Sequence, residues 1–347
     1  METVLYDPES GYYSSGAENV GKDGDFFTSV SVGPLFGRLL AGRFISWWEN
    51  HGKPDKWRVL EIGANDGKLA ADVLVKIREQ SPEAWESLEY AIAEPLPTLV
   101  QAQHERLQSL ASKLRIEESL EELMESKRPG VAFGNEILDA LPFHLIRFEN
   151  AEWKELYVAI DAEQSLAFTS FEIEPNSRLS SHTEKLGANF PEMYQTEIRT
   201  NLRDFLADVS NCLVEGTLLF IDYGFASEEY FHPARTTGTL RTYSKHQAAE
   251  DPLDRPGEID ITAHVNFTDL ACSAEEIGYK ATSFSSQSSY LTHLAKASIL
   301  KGELNTPKEI SQFQTLVHPA HLGEKFHVIE FEQNSHMPDI VRHRLAL

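Results

Sequence analysis

The chain has 347 residues, 41% hydrophobic and 24% charged, a balance that excludes extended disorder and leaves room for a sizeable core in about two domain equivalents. Lysine and arginine number 31 against 54 aspartate and glutamate, a formal charge of -23. Nonspecific nucleic-acid binding and attachment to anionic membranes both rest on a basic footprint, so neither is expected.

No uninterrupted apolar run approaches the ~20 residues of a membrane span. The two cysteines, Cys212 and Cys272, form no CxxC pair, which argues against a disulfide framework or a structural zinc module. The N-terminus, METVLYDPESGYY, lacks a basic and apolar leader pattern. Together these features predict a cytoplasmic protein.

In chain order, residues 1 to 34 are polar and glycine-rich and predict a segment with little regular structure. Apolar residues at helical spacing predict a helix over Leu35 to Trp48, stopped at His51-Gly52-Lys53-Pro54. Trp57 to Ile62 reads as a strand, Gly63 as the start of a turn, and Lys68 to Gln80 as a helix. A second strand over Leu88 to Ala93 ends at Glu94-Pro95, and Thr98 to Leu110 reads as the following helix. Further strands are predicted at Lys113 to Ile116, Val131 to Glu136 and Gly216 to Asp222, with a charged helix over Glu118 to Glu125.

Strands alternating with helices imply an α/β domain with a mainly parallel sheet. Phe143 to Ile173 alternates apolar and polar residues and predicts an inserted antiparallel hairpin or meander. The proline- and glycine-bearing stretch from Pro233 to Thr262 predicts a long loop over a site. The alternation resumes with a helix over Phe267 to Glu276, a strand over Lys280 to Phe284, a helix over Ser288 to Leu300 and a last strand over Lys325 to Phe331. The predicted division is 1–56 as an N-terminal segment and helix, 57–142 as the first part of the sheet domain, 143–190 as the insertion, and 191–347 as the remainder with a loop at 225–265.

The first chemistry-bearing cluster is Leu60-Glu61-Ile62-Gly63-Ala64-Asn65-Asp66-Gly67. A glycine turn after the first strand lets a ligand approach bare backbone at the carboxyl edge of the sheet. A dinucleotide site requires GxGxxG, so that pyrophosphate can lie against a helix N-terminus. Here Asn65 takes the place of the middle glycine and Asp66 would set a carboxylate beside the phosphates. S-adenosylmethionine, a sulfonium cation without phosphate, tolerates an acid there, and Asn65 accepts a positive φ better than most residues.

Glu94, at the end of the second strand, suits the ribose hydroxyls of an adenosine. Glu117 and Glu118 could approach adenine, although an acid favoured at a helix start explains them equally. The fourth strand ends in Asn135-Glu136, with Asp139 and Pro142 following, where an acceptor would meet the methyl group. Methyl transfer needs a positioned nucleophile, and Glu136 and Asp139 suit a guanidinium, which carboxylates bind bidentately. Asn135 or Asp139 could instead cap the following helix. Asp222 and Tyr223 close the fifth strand and either line the acceptor side or form a polar strand end. His264 is either a general base or a hydrogen-bonded structural residue. His318 and His321 lack further ligands at metal-site spacing.

Taken together, the segments Tyr6-Asp7-Pro8 to Tyr13, Gly24-Asp25-Phe26 to Phe36-Gly37, Glu61 to Leu69, Asn135-Glu136 to Pro142, Ile221 to Gly224, Thr239-Leu240-Arg241 with Lys245-His246, and Pro256-Gly257 to Phe267 span nearly the whole chain. In this order they resemble the MidA-like class I methyltransferases, the family that includes the mitochondrial complex I assembly factor acting as a protein arginine methyltransferase. The resemblance implies a Rossmann-like methyltransferase sheet with an inserted antiparallel subdomain on the substrate side. It implies S-adenosyl-L-methionine as cofactor, S-adenosyl-L-homocysteine as product, and a protein substrate with an accessible arginine.

Carried over to this chain, the cofactor would meet the turn from Gly63 through Asn65 to Gly67 and Glu94, under a covering segment with Gly24, Asp25, Thr28 and Ser29; Glu61, Glu117 and Asn135 are further cofactor candidates by position. By the same resemblance Asn135 and Glu136 would sit at the acceptor; position adds Asp139 there and Asp222, Tyr223 and His264 on the substrate side. The chain departs from the family at Asn65, and at Val30 and Ser31, where proline and glutamate are usual. A small-molecule O- or N-methyltransferase on the same sheet and an assembly protein with a decayed cofactor site remain as alternatives.

Overall fold

Trp57–Ile62 forms strand β1 because the apolar Trp57, Val59 and Leu60 are buried completely, and its only basic residue, Arg58, is neutralised inside the fold by Glu89. Such near-continuous burial on both faces is the mark of a central parallel strand. In this computed structural model the described residues are 1–7, 10–14, 28–244, 247–249, 251–302 and 304–347. Gly24, Asp25, Lys245 and His246 lie outside them.

β1 pairs in parallel with β2 (Leu88–Ala93) on one side and with β4 (Arg128–Asn135) on the other. Outside these lie β3 (Leu114–Glu117), parallel to β2, and β9 (Leu213–Phe225), parallel to β4. β15 (Phe326–Gln333) runs antiparallel to β9, and β14 (Tyr279–Ser286) antiparallel to β15. The order is β3-β2-β1-β4-β9-β15-β14, with β13 (Val265–Asn266) added to the end of β9. The winding reverses between β1 and β4, so the carboxyl ends of these strands frame the crevice where open α/β sheets bind ligands.

Helices Leu35–Asn50, Lys68–Gln80 and Gln287–Leu300 pack a core on one face of the sheet, and Leu202–Asn211 and Phe267–Glu276 on the other. The expected meander is present as β5 (His144–Glu149), β6 (Glu152–Ile160) and β7 (Leu166–Glu172). A fourth strand, β8 (Gln195–Ile198), joins them in the antiparallel order β7-β6-β5-β8.

The stretch expected to be one long loop contains β10 (Arg241–Ser244), β11 (Gln247–Ala249) and β12 (Asp260–Thr262), a small antiparallel sheet. The N-terminal stretch, expected to be irregular, contains a helix at Glu2–Tyr6 and another at Ser29–Val32. The second is started by a capping box between Thr28 and Ser31, a feature of two short polar side chains that hydrophobic periodicity does not reveal.

Candidate functional site

The turn after β1 needs three left-handed residues within five positions: Gly63 at φ +71°, Asn65 at +47° and Gly67 at +78°. At Gly63 a Cβ would lie 2.4 Å from Cγ2 of Ile137, so the bare backbone lets the turn after β4 approach it. Asn65 occupies its left-handed position as a residue type that tolerates it. The Asp66 carboxylate accepts the Lys68 backbone N–H at 3.0 Å and an Arg106 ion pair at 2.5 Å. An acid therefore already fills the helix N-terminus that a pyrophosphate would require.

Gln103 locks this turn to the end of β2. Its Nε2 donates to the Asn65 carbonyl at 2.7 Å and to the Glu94 carboxylate at 3.2 Å, and its Oε1 is buried without a partner. Glu94 also accepts the Leu96 backbone N–H at 3.1 Å. Burial raises its carboxyl, against the two hydrogen bonds. Sequence reading missed Gln103; its only signal was a polar residue on the apolar stripe of its helix.

Glu61 lies inside the fold, where the Tyr90 hydroxyl donates to it at 2.5 Å. Burial pushes it up to about 7. Glu117 is held by Arg115 in an ion pair at 2.5 Å at the edge of the sheet, so its carboxylate is already neutralised.

At the end of β4, Glu136 sits at φ +56° with its N–H on the Ile221 carbonyl at 2.8 Å. Such a conformation in a non-glycine residue is costly and is kept only where the surroundings over-determine it. The Glu136 carboxylate accepts from Asn135 Nδ2 at 3.0 Å and from the Ser29 backbone N–H. Burial and the neighbouring Asp139 push it up to about 8, against those two bonds. Ser29 is held in turn by Gln287, its hydroxyl donating to Oε1 at 2.9 Å. Thr28 and Ser29 thus stand against the end of β4, while Asp25 lies outside the described residues.

Asp222 was expected to line the acceptor side or to be a polar strand end. It is fully buried, and one of its oxygens accepts the backbone N–H groups of Ile137, Leu138 and Asp139 at 3.2, 2.9 and 3.3 Å. The other accepts the Tyr223 N–H at 2.9 Å. It clamps the turn that carries Glu136 and Asp139. Burial beside Asp139 and Glu136 raises it, and the backbone N–H groups oppose that shift.

The Asp139 carboxylate accepts from the Tyr223 hydroxyl through Oδ2, while its Oδ1 is buried with no partner among the described residues; Oδ1 of Asn135 is orphaned in the same way. Buried polar atoms are normally paired, so each of these acceptors calls for a donor.

Two buried charges that sequence reading missed hold the acceptor side. Arg199 donates to the carbonyls of Asp139, Ala263 and His264 at 2.8, 2.7 and 2.8 Å, joining the turn after β4 to the loop after β12. Glu197 accepts the N–H groups of Thr239 and Leu240 at 3.0 and 2.9 Å, fixing the Thr239-Leu240-Arg241 segment. Both lie on or just beyond the short strand β8, which has no clear pattern of its own. Tyr6 donates to the Ala140 carbonyl at 3.0 Å and Tyr13 to Asp260 at 3.1 Å, closing the N-terminal segment over the same region.

The His264 ring stacks on Phe225 at 5.1 Å and meets Tyr223 edge-on at 5.1 Å. Burial, with Arg241 and Arg235 nearby, holds it down at about 4, so it is neutral at physiological pH and a weak base. Asn135, Glu136, Asp139 and Tyr223 therefore come together at the ends of β4 and β9, with Gly63, Asn65, Gly67 and Glu94 across the crevice.

These residues fit S-adenosylmethionine. They offer acids and orphaned acceptors to a cation with ribose hydroxyls, and no basic cradle for a phosphate. Among the described residues no group of His, Cys, Asp and Glu is placed to hold a metal ion, and no helix is long and apolar enough to cross a membrane.

The profile of a family described as "Putative S-adenosyl-L-methionine-dependent methyltransferase" matches residues 39–285. The chain is 32% identical to a Burkholderia thailandensis protein, a "likely methyl transferase" whose crystal structure is bound to S-adenosyl-homocysteine. The two superpose with a TM-score of 0.84 over 96% of this chain and 86% of that one. It is 27% identical to the Drosophila melanogaster protein arginine methyltransferase NDUFAF7 homolog, mitochondrial, covering 80% of this chain and 66% of that one, just under two thirds of its length. It is 26% identical to human protein arginine methyltransferase NDUFAF7, mitochondrial, over 94% of this chain and 77% of that one.

The mitochondrial naming of these relatives overturns the expectation of a cytoplasmic protein. Two unpaired cysteines report on disulfide chemistry and carry no address, so composition was the wrong ground for a compartment. With the glycine turn, the acid at the end of β2 and the polar end of β4 in one crevice, the chain belongs to the S-adenosyl-L-methionine-dependent methyltransferase family.

Proposed function

We propose that this chain transfers the methyl group of S-adenosylmethionine to an arginine side chain of a protein. The observation that carries the reading is the pair Glu136 and Asp139 at the methyl-donor crevice, one held at φ +56° and the other with a buried, unpartnered Oδ1. Acceptor atoms without donors suit a guanidinium, whose five N–H groups match carboxylates in a planar fork. The animal relatives named protein arginine methyltransferases support the same acceptor.

When bound, the cofactor supplies an electrophilic methyl carbon. The Gly63 to Gly67 turn and Glu94 would hold its amino-acid and adenosine ends, with Glu61 behind them and Thr28, Ser29 and Asn135 nearby. Glu136 would orient the guanidinium and take the proton its nitrogen must lose after methylation. A carboxyl pushed up to about 8 is near the working pH, where a proton acceptor is most effective. It must ionise before it can pair with a guanidinium, so turnover rises with pH through that range. Tyr223 and Arg199 would position Asp139. In this reading residues 1–56 cover the cofactor, 57–142 and 191–347 build the methyl-transfer sheet, and 143–190 with 225–265 flank the protein acceptor.

The test is to supply tritium-labelled S-adenosylmethionine to the protein with a mitochondrial extract, hydrolyse the labelled product and resolve it. Label recovered as methylarginine supports the reading. Label recovered as a base-labile methyl ester, or only on low-mass compounds, contradicts it.

A further inference from the structure

Most arginines of this acid-rich chain are paired with a carboxylate, as in Arg38 with Glu309, Arg43 with Glu330 and Arg147 with Glu149. Among the described residues Arg235 and Arg241 are not, although acids outnumber bases by 54 to 31, and neither are Arg78, Arg199, Arg342 and Arg344. What sets the first two apart is their place around His264. Arg241 is exposed, and among the described residues its guanidinium donates to the carbonyl of its own neighbour, Leu240, at 2.6 Å. Arg235 lies over the Phe225 ring at 4.4 Å and its Nη2 donates to the Glu229 carbonyl at 3.5 Å, while its Nε is buried with no partner among the described residues.

Both lie around His264, Arg235 by way of the Phe225 ring and Arg241 by way of its strand. Phe225 stacks on the His264 ring with an interplanar angle of 9°, and Arg241 is in register with Thr262, two residues before it. The two cations are also the main charges that depress the His264 ring, which agrees with their closeness. His264 Nδ1 is itself buried without a partner. From His264 the contacts continue through Tyr223 to Asp139. The acceptor side therefore has an acidic end at Glu136 and Asp139 and a cationic end at Arg235 and Arg241.

Glu197 fixes the backbone beneath Arg241 by accepting from Thr239 and Leu240, and a Cβ at Gly238 would lie 2.3 Å from that carboxylate. A segment held this firmly presents Arg241 from a built position.

We propose that Arg235 and Arg241, beside His264, form an anion subsite that takes an aspartate or glutamate side chain of the acceptor protein close to the methylated residue. Two guanidinium groups suit one carboxylate, which they bind with charge-assisted hydrogen bonds. A nucleic acid is disfavoured because a chain of charge -23 repels a polyanion beyond the immediate subsite. The proposal rests on the arginine reading only for what occupies the acidic end.

The probes are rhodamine-labelled, glycine-rich peptides with one arginine and either aspartate or asparagine at each of the three positions on either side. Binding to the full chain saturated with S-adenosylhomocysteine is read by fluorescence anisotropy. At one or two positions the aspartate peptide binds about three- to tenfold tighter than its asparagine twin, the range of a partly exposed charge pair. Arg235→Gln with Arg241→Gln abolishes that gain while leaving asparagine-peptide and S-adenosylhomocysteine affinities unchanged. Should the double variant unfold, Arg241→Gln alone carries the test, since that side chain is exposed.

No gain at any position, or a gain that survives the substitutions, overturns the proposal. So does a parallel fall in S-adenosylhomocysteine affinity, which would make the anion the cofactor's own carboxylate. Peptides with citrulline in place of arginine read the other end separately: equal binding there removes the arginine reading, while the aspartate-minus-asparagine difference still reports the subsite.

Discussion

Oδ2 of Asp222 holds the backbone N–H of Leu138 at 2.9 Å, and the same oxygen takes the N–H groups on either side of it. One strand end thereby dictates the shape of its neighbour's turn. Asp222→Ala leaves those donors buried and unpaired, and the expected loss is about 2–4 kcal/mol of stability by denaturant unfolding. Turnover should fall with it, because Glu136 and Asp139 lie on the released turn. An alanine variant with wild-type stability would show that the clamp does not hold the turn.

The Gln103 bridge makes a second prediction. Glu94→Ala removes a carboxylate placed at the end of β2, and S-adenosylhomocysteine binding should weaken about 10- to 100-fold by calorimetry, the range for losing hydrogen bonds to a charged group, with the fold intact. Gln103→Ala should weaken it by a smaller factor, since Gln103 acts through Glu94 and the Asn65 carbonyl. Unchanged affinity in the Glu94 variant would remove that residue from the site.

The turn after β1 is sensitive to Cβ atoms in a graded way. Gly63→Ala must accept both φ +71° and a contact of 2.4 Å with Ile137, so it should lose about 1–3 kcal/mol and bind cofactor poorly. Asn65→Ala loses only the tolerance of a left-handed position, about 1 kcal/mol. Asn65→Gly should be near neutral. Thermal unfolding of the three variants gives the ranking, and an Asn65→Ala loss exceeding that of Gly63→Ala would refute it.

Stability without cofactor should fall as pH rises from about 6.5, where the opposing effect of His264 ends, to about 8. Glu61 and Glu136 are pushed up to about 7 and about 8 by burial, so the folded state holds protons that the unfolded chain has already released. Their stabilising contribution is complete below the ordinary carboxylate range, declines steadily above it and is exhausted once pH passes the folded values. His264, held down at about 4, acts in the opposite sense but below this window. Melting curves should show the decline, and Glu136→Gln should reduce it. A midpoint independent of pH in the wild type would contradict the enclosed position of these acids.

The parallel sheet was legible because Trp57–Ile62, Leu88–Ala93 and their neighbours carry dense apolar runs bounded by glycine, proline or acids. The helix Leu202–Asn211 and strand β8 were not predicted: β8 has four residues, too few for a pattern of its own, and three residues separate it from the helix. The acids at the strand ends were readable from position alone. Arg199, Glu197 and Gln103 were not, because each acts on backbone groups distant in sequence, and such partners appear only when the chain is folded. Asp222 shows the same limit from the other side, since its place at a strand end was clear and its clamp on the turn was not.

The most direct test of the account is the split between binding and turnover in Glu136→Gln. The account predicts S-adenosylhomocysteine affinity within about threefold of wild type by calorimetry, together with a fall of about 100-fold in methylarginine formation, the range for loss of a positioned proton acceptor. Methylarginine formation that persists at the wild-type rate in this variant would contradict the assignment of Glu136 to the acceptor.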